Sequence, residues 1–237
     1  MKTFHSVKRE IFIKANPERI WKALTDERER NKWETTSCEI HLQVGGKIEL
    51  DYGWGVTFSG TIIEIEELKK LVIQDQDKEL TIWSIIPEES GSLVTIEYTG
   101  LWSGNLGIME MENMCFGTYQ FMRNLKSVLE VNDDIRHSFW LSWIGVNHKT
   151  TSSIETPGTE VVSIIPNTPA FGLLHIGDII TYVNGISIDG YEPFERFITE
   201  TIPNQRVTLE INRSGQQIKV ELNTVPYGSK ITPSTAG

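Results

Sequence analysis

The sequence predicts an α+β protein with two domains, in which a curved antiparallel sheet and one long helix precede a smaller, mainly β domain. Three observations favour this fold class. Between about residues 38 and 99, segments rich in β-branched and aromatic residues are separated by Gly-containing turns. From about Met109 to Val131, apolar residues recur with the helical period. After residue 142 the pattern returns to short strands divided by Gly, Pro and Asn.

Composition limits the class of function. The 237 residues are 39% hydrophobic and 23% charged, which is typical of globular domains and leaves room for two of them. The net charge is −10 and no segment concentrates Lys or Arg, which disfavours nucleic acid and anionic membranes as partners. No apolar run approaches the roughly 18 residues of a membrane span, and the N-terminus lacks a signal-like apolar region. We therefore expect a cytoplasmic protein whose two cysteines are reduced.

Local patterns assign the first domain to residues 1–134. Alternation over 7–14 predicts a strand with one buried face, and Asn16-Pro17-Glu18 predicts a capped helix start. A second short helical segment leads to Trp33. The strands that follow are predicted at 38–42, 47–52, 57–65, 70–74, 80–87 and 93–99.

A connector at 135–142 leads to the second domain, predicted at 143–226, and a disordered tail is predicted at 227–237. Turn residues set the element ends, with Asn184-Gly185 and Ser214-Gly215 each closing a hairpin. The predicted strands are 144–148, 160–165, 179–183, 186–188, 206–213 and 216–223, with a helix over 192–201.

Two runs in the second domain carry a family resemblance. Val162 to Ala170 spells V-S-I-I-P-N-T-P-A, and Gly177 to Gly185 spells G-D-I-I-T-Y-V-N-G. Together they resemble the core of a bacterial HtrA-like PDZ domain, although the loop between them is one residue shorter than the family pattern and its Gly is displaced. The resemblance implies a module that recruits a partner peptide or a protein C-terminus.

The resemblance also implies a carboxylate-binding loop. The loop would present successive backbone N–H groups to a terminal carboxylate, as an anion-binding nest does. Its residues would be Trp143, Ile144, Gly145 and Val146. The alternative is that this segment is an ordinary buried strand.

The peptide groove would lie between the strand after that loop and the helix over 192–201. The strand would offer an open edge for pairing, and the apolar helix residues would divide between groove and core. The expected groove residues are Asn147, His148, Phe194, Phe197 and Ile198.

The first domain resembles the START-like SRPBCC superfamily, and within it the Aha-type relatives of a heat-shock chaperone ATPase activator. Tyr119 stands near the place of the usual Trp in the family's final helix. The resemblance rests on the segments 15–26, 45–46, 60–62 and 117–130 and on Trp33.

That family's fold is a curved sheet gripping a long helix, with a largely apolar cavity between them. Met and aromatic side chains adapt to varied apolar ligands, but the same residues also fill an ordinary core. Both interpretations stay open. The residues expected to line a ligand cavity are Trp54, Phe58, Trp83, Trp102, Met114 and Met122.

No catalytic or metal-binding motif stands out. The five histidines lack ligand spacing, neither cysteine has a C-x-x-C partner, and G-x-S-x-G and P-loop patterns are absent. We therefore predict a non-enzymatic adaptor without cofactor or metal, whose first domain binds a small apolar ligand or a protein client. The alternatives are a co-chaperone of a heat-shock ATPase, or an enzyme using His41, Glu49 or Asp51 on an apolar substrate.

Overall fold

A computed structural model describes residues 3–230, so residues 231–237 of the predicted tail lie outside the described residues. The chain forms two compact units. Among the described residues, the first unit contains 3–102 and 114–137, and the second contains 103–113 and 138–230. Within the described part of the chain, no helix is long and apolar enough to cross a membrane.

The first unit contains a seven-stranded sheet in the order β1-β7-β6-β5-β4-β3-β2. From β2 to β7 each strand pairs antiparallel with the next, which confirms the predicted meander. The strands are β1 (Thr3–Ile13), β2 (Ser37–Ile40), β3 (Lys47–Gly53), β4 (Val56–Glu66), β5 (Lys70–Gln74), β6 (Leu80–Glu88) and β7 (Gly91–Ser103).

Two short helices, α1 (Pro17–Thr25) and α2 (Glu27–Arg30), connect β1 to β2. The Asn16 side chain accepts a hydrogen bond from the Arg19 N–H at 2.9 Å, which satisfies a donor that the first turn of α1 leaves unpaired. Asp26 likewise caps the N-terminus of α2, because its side chain accepts a hydrogen bond from the Glu29 N–H at 3.0 Å. The cap predicted from Asn16-Pro17-Glu18 is therefore present.

The long helix α3 runs from Gly104 to Val131 and begins earlier than the periodicity predicted. The strand β7 leads directly into it, and Gly104 makes the junction with a φ of +67°. Asn105 and Leu106 are exposed, so the first turn carries no apolar stripe that a periodicity could reveal. Farther along, Met122, Leu125 and Val128 pack into the core of the first unit.

The second unit contains a six-stranded sheet in which β14-β13-β11-β10-β9 follow one another and β12 pairs with β11. A separate two-stranded pair joins β8 to β15. The elements are β8 (Ser142–Trp143), β9 (Val146–Thr150), β10 (Thr159–Ile164), β11 (Ile179–Val183), β12 (Ile186–Ser187), α4 (Tyr191–Glu200), β13 (Arg206–Arg213), β14 (Gln216–Asn223) and β15 (Val225–Pro226).

A buried ion pair fixes the turn before β11. The Asp178 side chain is 1% exposed and accepts hydrogen bonds from Arg213 Nε and Nη2, each at 2.7 Å, and from the His175 N–H at 2.8 Å. Burial alone would raise the pKa of Asp178, but the hydrogen bonds from Arg213 and His175 outweigh it and hold the pKa below its ordinary value. The pair ties the predicted Gly177-Asp178 turn to the end of β13.

Replacing Arg213 with Met is expected to lower the free energy of unfolding of the second unit by about 3 kcal/mol, because the Asp178 carboxylate loses its buried partner. A group whose folded pKa is lowered contributes stability above its unfolded pKa and loses it as pH falls. The difference in the free energy of unfolding between Arg213→Met and wild type should therefore be present at pH 7 and shrink below about pH 4.

The measurement is urea unfolding followed by NMR signals from β11 and β13. Arg206→Met is the matched control, because Arg206 pairs with Glu221 at the surface, where the two side chains are 68% and 45% exposed. In that variant the free energy of unfolding should fall by less than about 1 kcal/mol. Equal losses of unfolding free energy in both variants would contradict the claim that the buried Asp178–Arg213 pair stabilises the turn before β11.

Candidate functional site

A groove in the second unit lies between β9 and α4 and encloses about 120 Å³. One end is built from the loop between β8 and β9, and the other carries more polar side chains. Its lining residues are Met109, Asn113, Trp143, Ile144, Gly145, Val146, Asn147, His148, Tyr191, Phe194, Glu195, Ile198, Thr199 and Tyr227.

The loop between β8 and β9 turns at Gly145, whose φ of +81° lies in the left-handed region. Its carbonyl accepts from the Ile165 N–H at 2.9 Å, and the Ile144 carbonyl accepts from the Ala170 N–H at 3.0 Å. Among the described residues, no acceptor bonds the N–H groups of Ile144 and Gly145. Two successive backbone donors are thus available at the groove end, as in an anion-binding nest.

Only glycine fits at position 145. A Cβ placed there would lie 2.1 Å from Thr168 Oγ1 and 2.4 Å from its Cγ2. Thr168 is itself fixed, because its hydroxyl donates to the Ile165 carbonyl at 2.7 Å. The loop and the segment at Thr168 therefore hold each other in place.

The strand β9 is an edge strand, so one of its sides is not covered by the sheet. The Gly145 carbonyl bonds the Ile165 N–H and the Thr151 N–H bonds the Gly158 carbonyl at 3.1 Å, so the odd-numbered residues between them direct their backbone groups toward β10. Because these groups alternate along a strand, Val146, His148 and Thr150 direct theirs to the open edge. A peptide strand can pair with that edge.

His148 sits beneath the middle of the groove and is 1% exposed. Its Nε2 lies 2.9 Å from Glu195 Oε2 on α4, and its Nδ1 lies 2.6 Å from Thr159 Oγ1 on β10. Its ring stacks on Tyr191, with centroids 4.3 Å apart, and meets Phe194 edge-on at 4.8 Å. These contacts fix the distance between the two groove walls.

The polar end of the groove is closed by residues at the start of α3 that belong to the same compact unit. The Thr150 N–H donates to Glu112 Oε2 at 2.7 Å, and the Tyr191 hydroxyl donates to Asn113 Oδ1 at 3.1 Å. The Tyr191 N–H donates to Thr150 Oγ1 at 3.0 Å. Burial, followed by the negative charge of Glu195, raises the pKa of Tyr191, so its hydroxyl keeps its proton at neutral pH.

The structure brings most of the expected groove residues together. All four loop residues line the groove, as do Asn147, His148, Phe194 and Ile198. Phe197 does not line it. It is half-buried and packs against the edge of the same core to which Phe194 and Ile198 belong.

Several lining residues were not identified from the sequence. Tyr191 and Glu195 lie on the same helix face as the predicted Phe194, so helical spacing was a usable signal for them. Met109 and Asn113 come from α3, and Tyr227 follows β15, where its ring packs on Trp143 with centroids 5.6 Å apart. The described start of the predicted tail, Tyr227 to Lys230, also includes Ser229, whose carbonyl accepts from Trp143 Nε1 at 2.8 Å.

Family models match two separate stretches of the chain. Residues 14–130 match the model described as Activator of Hsp90 ATPase homolog 1-like protein, and residues 142–224 match the PDZ domain model. The chain joins an Aha-type domain to a PDZ domain. Both are binding-type domains, and the PDZ domain implies binding of a peptide or protein.

Solved structures similar to the chain cover about half of its length. They include the Aha1 dimer from Colwellia psychrerythraea, with 21% identity, a TM-score of 0.48, and coverage of 55% of this chain and 99% of that one. A Staphylococcus saprophyticus protein has 16% identity, a TM-score of 0.49, and coverage of 55% and 96%. A Mesorhizobium loti protein has 21% identity, a TM-score of 0.47, and coverage of 54% and 98%. The search of curated proteins found no match.

On the inner face of the Aha-type sheet, a cavity of about 40 Å³ is lined by α2 and by strands β3 to β7. Small-molecule sites usually enclose about 300–1,000 Å³, so this one holds at most a few water molecules. Arg30 and Glu34 line it and pair at 2.6 Å, with side chains 2% and 9% exposed. Burial raises the pKa of the neighbouring Tyr52 and Tyr98.

The six residues expected to line a ligand cavity are dispersed. Phe58 and Trp83 line the small cavity, and Met122 is buried in the core. Trp54 stands on the turn between β3 and β4 and is 71% exposed. Trp102, Met114 and His41 do not line this cavity. Glu49 and Asp51 do not line it either, but together with Phe58 they line a pocket of about 490 Å³ along β2, β3 and β4.

Replacing Trp83 with Ala is expected to destabilise the Aha-type domain by about 3–5 kcal/mol, because a fully packed indole is removed from the core. Added indole should restore part of that stability by filling the new cavity. Thermal unfolding with and without indole measures both effects, and Trp83→Leu replaces the variant if Trp83→Ala does not fold.

Trp54→Ala is the matched control. It should lower the stability of the Aha-type domain by less than about 1 kcal/mol, and added indole should not change its unfolding temperature. Wild-type protein should not respond to indole either. A wild-type response as large as that of Trp83→Ala would show that the interior already holds an open ligand cavity.

Proposed function

We propose that the chain is a non-enzymatic adaptor whose PDZ groove binds the C-terminus of a partner protein as an extended strand along β9. The observation that carries the proposal is the loop at Gly145, where Ile144 and Gly145 line the end of the groove and their N–H groups have no acceptor among the described residues. A terminal carboxylate satisfies these donors, and the strand before it pairs with the open edge of β9.

The charges around the groove favour a carboxylate held by backbone donors. None of the lining residues is Lys or Arg, so the N–H groups supply the positive partial charge. Beside them, Ile144, Phe194 and Ile198 present buried apolar surface. This combination suits a partner whose last residue is apolar.

For the Aha-type domain we favour a protein client over a small apolar ligand. The 40 Å³ cavity inside the sheet is too small for one, and the pocket of about 490 Å³ along β2, β3 and β4 is lined mostly by polar side chains. The family model at 14–130 supports a second candidate, modulation of a heat-shock ATPase by contact with it. The steady-state ATPase rate of such a chaperone, measured with and without the protein, tests that candidate, and an unchanged rate counts against it. A cytoplasmic location is part of the proposal.

Gly145→Ala is expected to lower affinity for C-terminal peptides at least about tenfold, because the new Cβ collides with Thr168 and turns the N–H groups away. Peptides selected from a C-terminal array supply the probes, and isothermal titration measures the dissociation constants. The same peptides with an amidated C-terminus should bind wild-type protein equally poorly.

Gly172→Ala is the matched control. Gly172 has the same φ of +81°, but a Cβ there meets nothing within 4 Å. Both variants carry the backbone strain of a left-handed alanine, and only Gly145→Ala disturbs the loop. If both lose affinity equally, or if no array peptide binds wild-type protein, the proposed function is wrong.

A further inference from the structure

We infer that Glu112 limits strand pairing in this groove to the last four residues of a C-terminal tail, because its carboxylate occupies the backbone donor with which a fifth residue would pair. The inference rests on the proposed function and adds a length limit to it. Four peptide residues bind along β9, and residues farther from the C-terminus gain no contact with the strand.

The limit follows from the alternation along β9. With the terminal carboxylate at the Gly145 loop, the last peptide residue lies opposite Val146. Pairing residues repeat every second position, so His148 faces the third residue from the end and Thr150 faces the fifth. At about 3.4 Å per residue, Thr150 lies about 14 Å along the strand from Val146. The fifth residue would accept from the Thr150 N–H.

That donor is already taken. Glu112 Oε2 accepts from the Thr150 N–H at 2.7 Å, a distance typical of a charge-assisted hydrogen bond. Such bonds are stronger than those between neutral groups, so a peptide carbonyl is a weaker competitor for the same N–H. Glu112 thus substitutes for the carbonyl of a fifth peptide residue.

A second contact keeps Glu112 in position. The adjacent residue Asn113 accepts from the Tyr191 hydroxyl at 3.1 Å, and Tyr191 is the first residue of α4. The Tyr191 N–H also bonds Thr150 Oγ1, so strand, helix and the start of α3 meet at one point. Both groove walls are joined there, so Glu112 is held at the edge of β9 where a fifth peptide residue would pair.

Two synthetic C-terminal peptide libraries test the inference, with free carboxylates and N-terminal acetyl groups. One contains tetrapeptides randomised at every position, and the other contains the same tetrapeptides preceded by four alanines. Alanine adds backbone for pairing with little side-chain selectivity. Wild-type protein is expected to bind matched tetramers and octamers with dissociation constants within about twofold of each other, since the added backbone finds no partner.

Glu112→Ala should bind octamers about fivefold tighter than tetramers, because the Thr150 N–H becomes available to the peptide. Glu112→Gln keeps an oxygen acceptor on the same side chain and should, like wild type, bind tetramers and octamers with similar affinity. Glu110→Ala removes the same charge from an exposed position of the same helix and should behave as wild type.

The Thr150 amide gives a direct readout. Its hydrogen exchange should accelerate in Glu112→Ala, and octamers but not tetramers should slow it again. A tighter binding of octamers by wild-type protein would overturn the length limit while leaving peptide binding intact. Failure of every library peptide to bind wild type and variants would instead overturn the proposed function, and this inference with it.

Discussion

The left-handed backbone at Gly145 is the constraint on which the groove depends. It turns the chain between β8 and β9 at the end of the groove, and the register of β9 against β10 begins just after it. Thr168 packs where a side chain at position 145 would lie, so the loop cannot carry any other residue without moving. The proposed carboxylate recognition and strand pairing would therefore both depend on this one backbone conformation.

The two domains use buried polar groups in different ways. In the Aha-type domain, the Arg30 and Glu34 side chains pair with each other within a filled interior, and Arg30 Nη1 also donates to the Leu24 carbonyl at 2.8 Å. In the PDZ domain, His148 and Glu195 pair beneath a groove that remains open above them. The first arrangement specifies a core, whereas the second supports a surface that another chain can enter.

Much of this architecture could be predicted from sequence, because local signals agreed with the fold. The bounds of β11, β13 and β14 matched the prediction, since turn residues such as Asn184-Gly185 mark where those strands end. Gly53 and Gly55, which flank Trp54, also signalled an exposed turn, so the inclusion of Trp54 among cavity residues overlooked a usable signal.

Other features depend on tertiary contacts that no local pattern encodes. Glu112 and Thr150 are far apart in sequence, and nothing in the helical stripe of α3 indicates that Glu112 meets a strand edge. The amphipathic pattern of α4 shows that Phe194, Phe197 and Ile198 are apolar but not which of them faces the groove. The START-like pattern likewise predicts a sheet around a helix, while the space left inside depends on how the side chains pack.

The central claim is that the loop at Gly145 holds a terminal carboxylate at the head of a strand paired with β9. Its most direct test is an NMR titration of the backbone amides with a selected C-terminal peptide and with its C-terminal amide. We predict large shifts at Ile144, Gly145, Val146 and His148 with the free carboxylate, and only small shifts with the amide. Equal shifts from both peptides, or shifts confined to residues outside the groove between β9 and α4, would contradict the account.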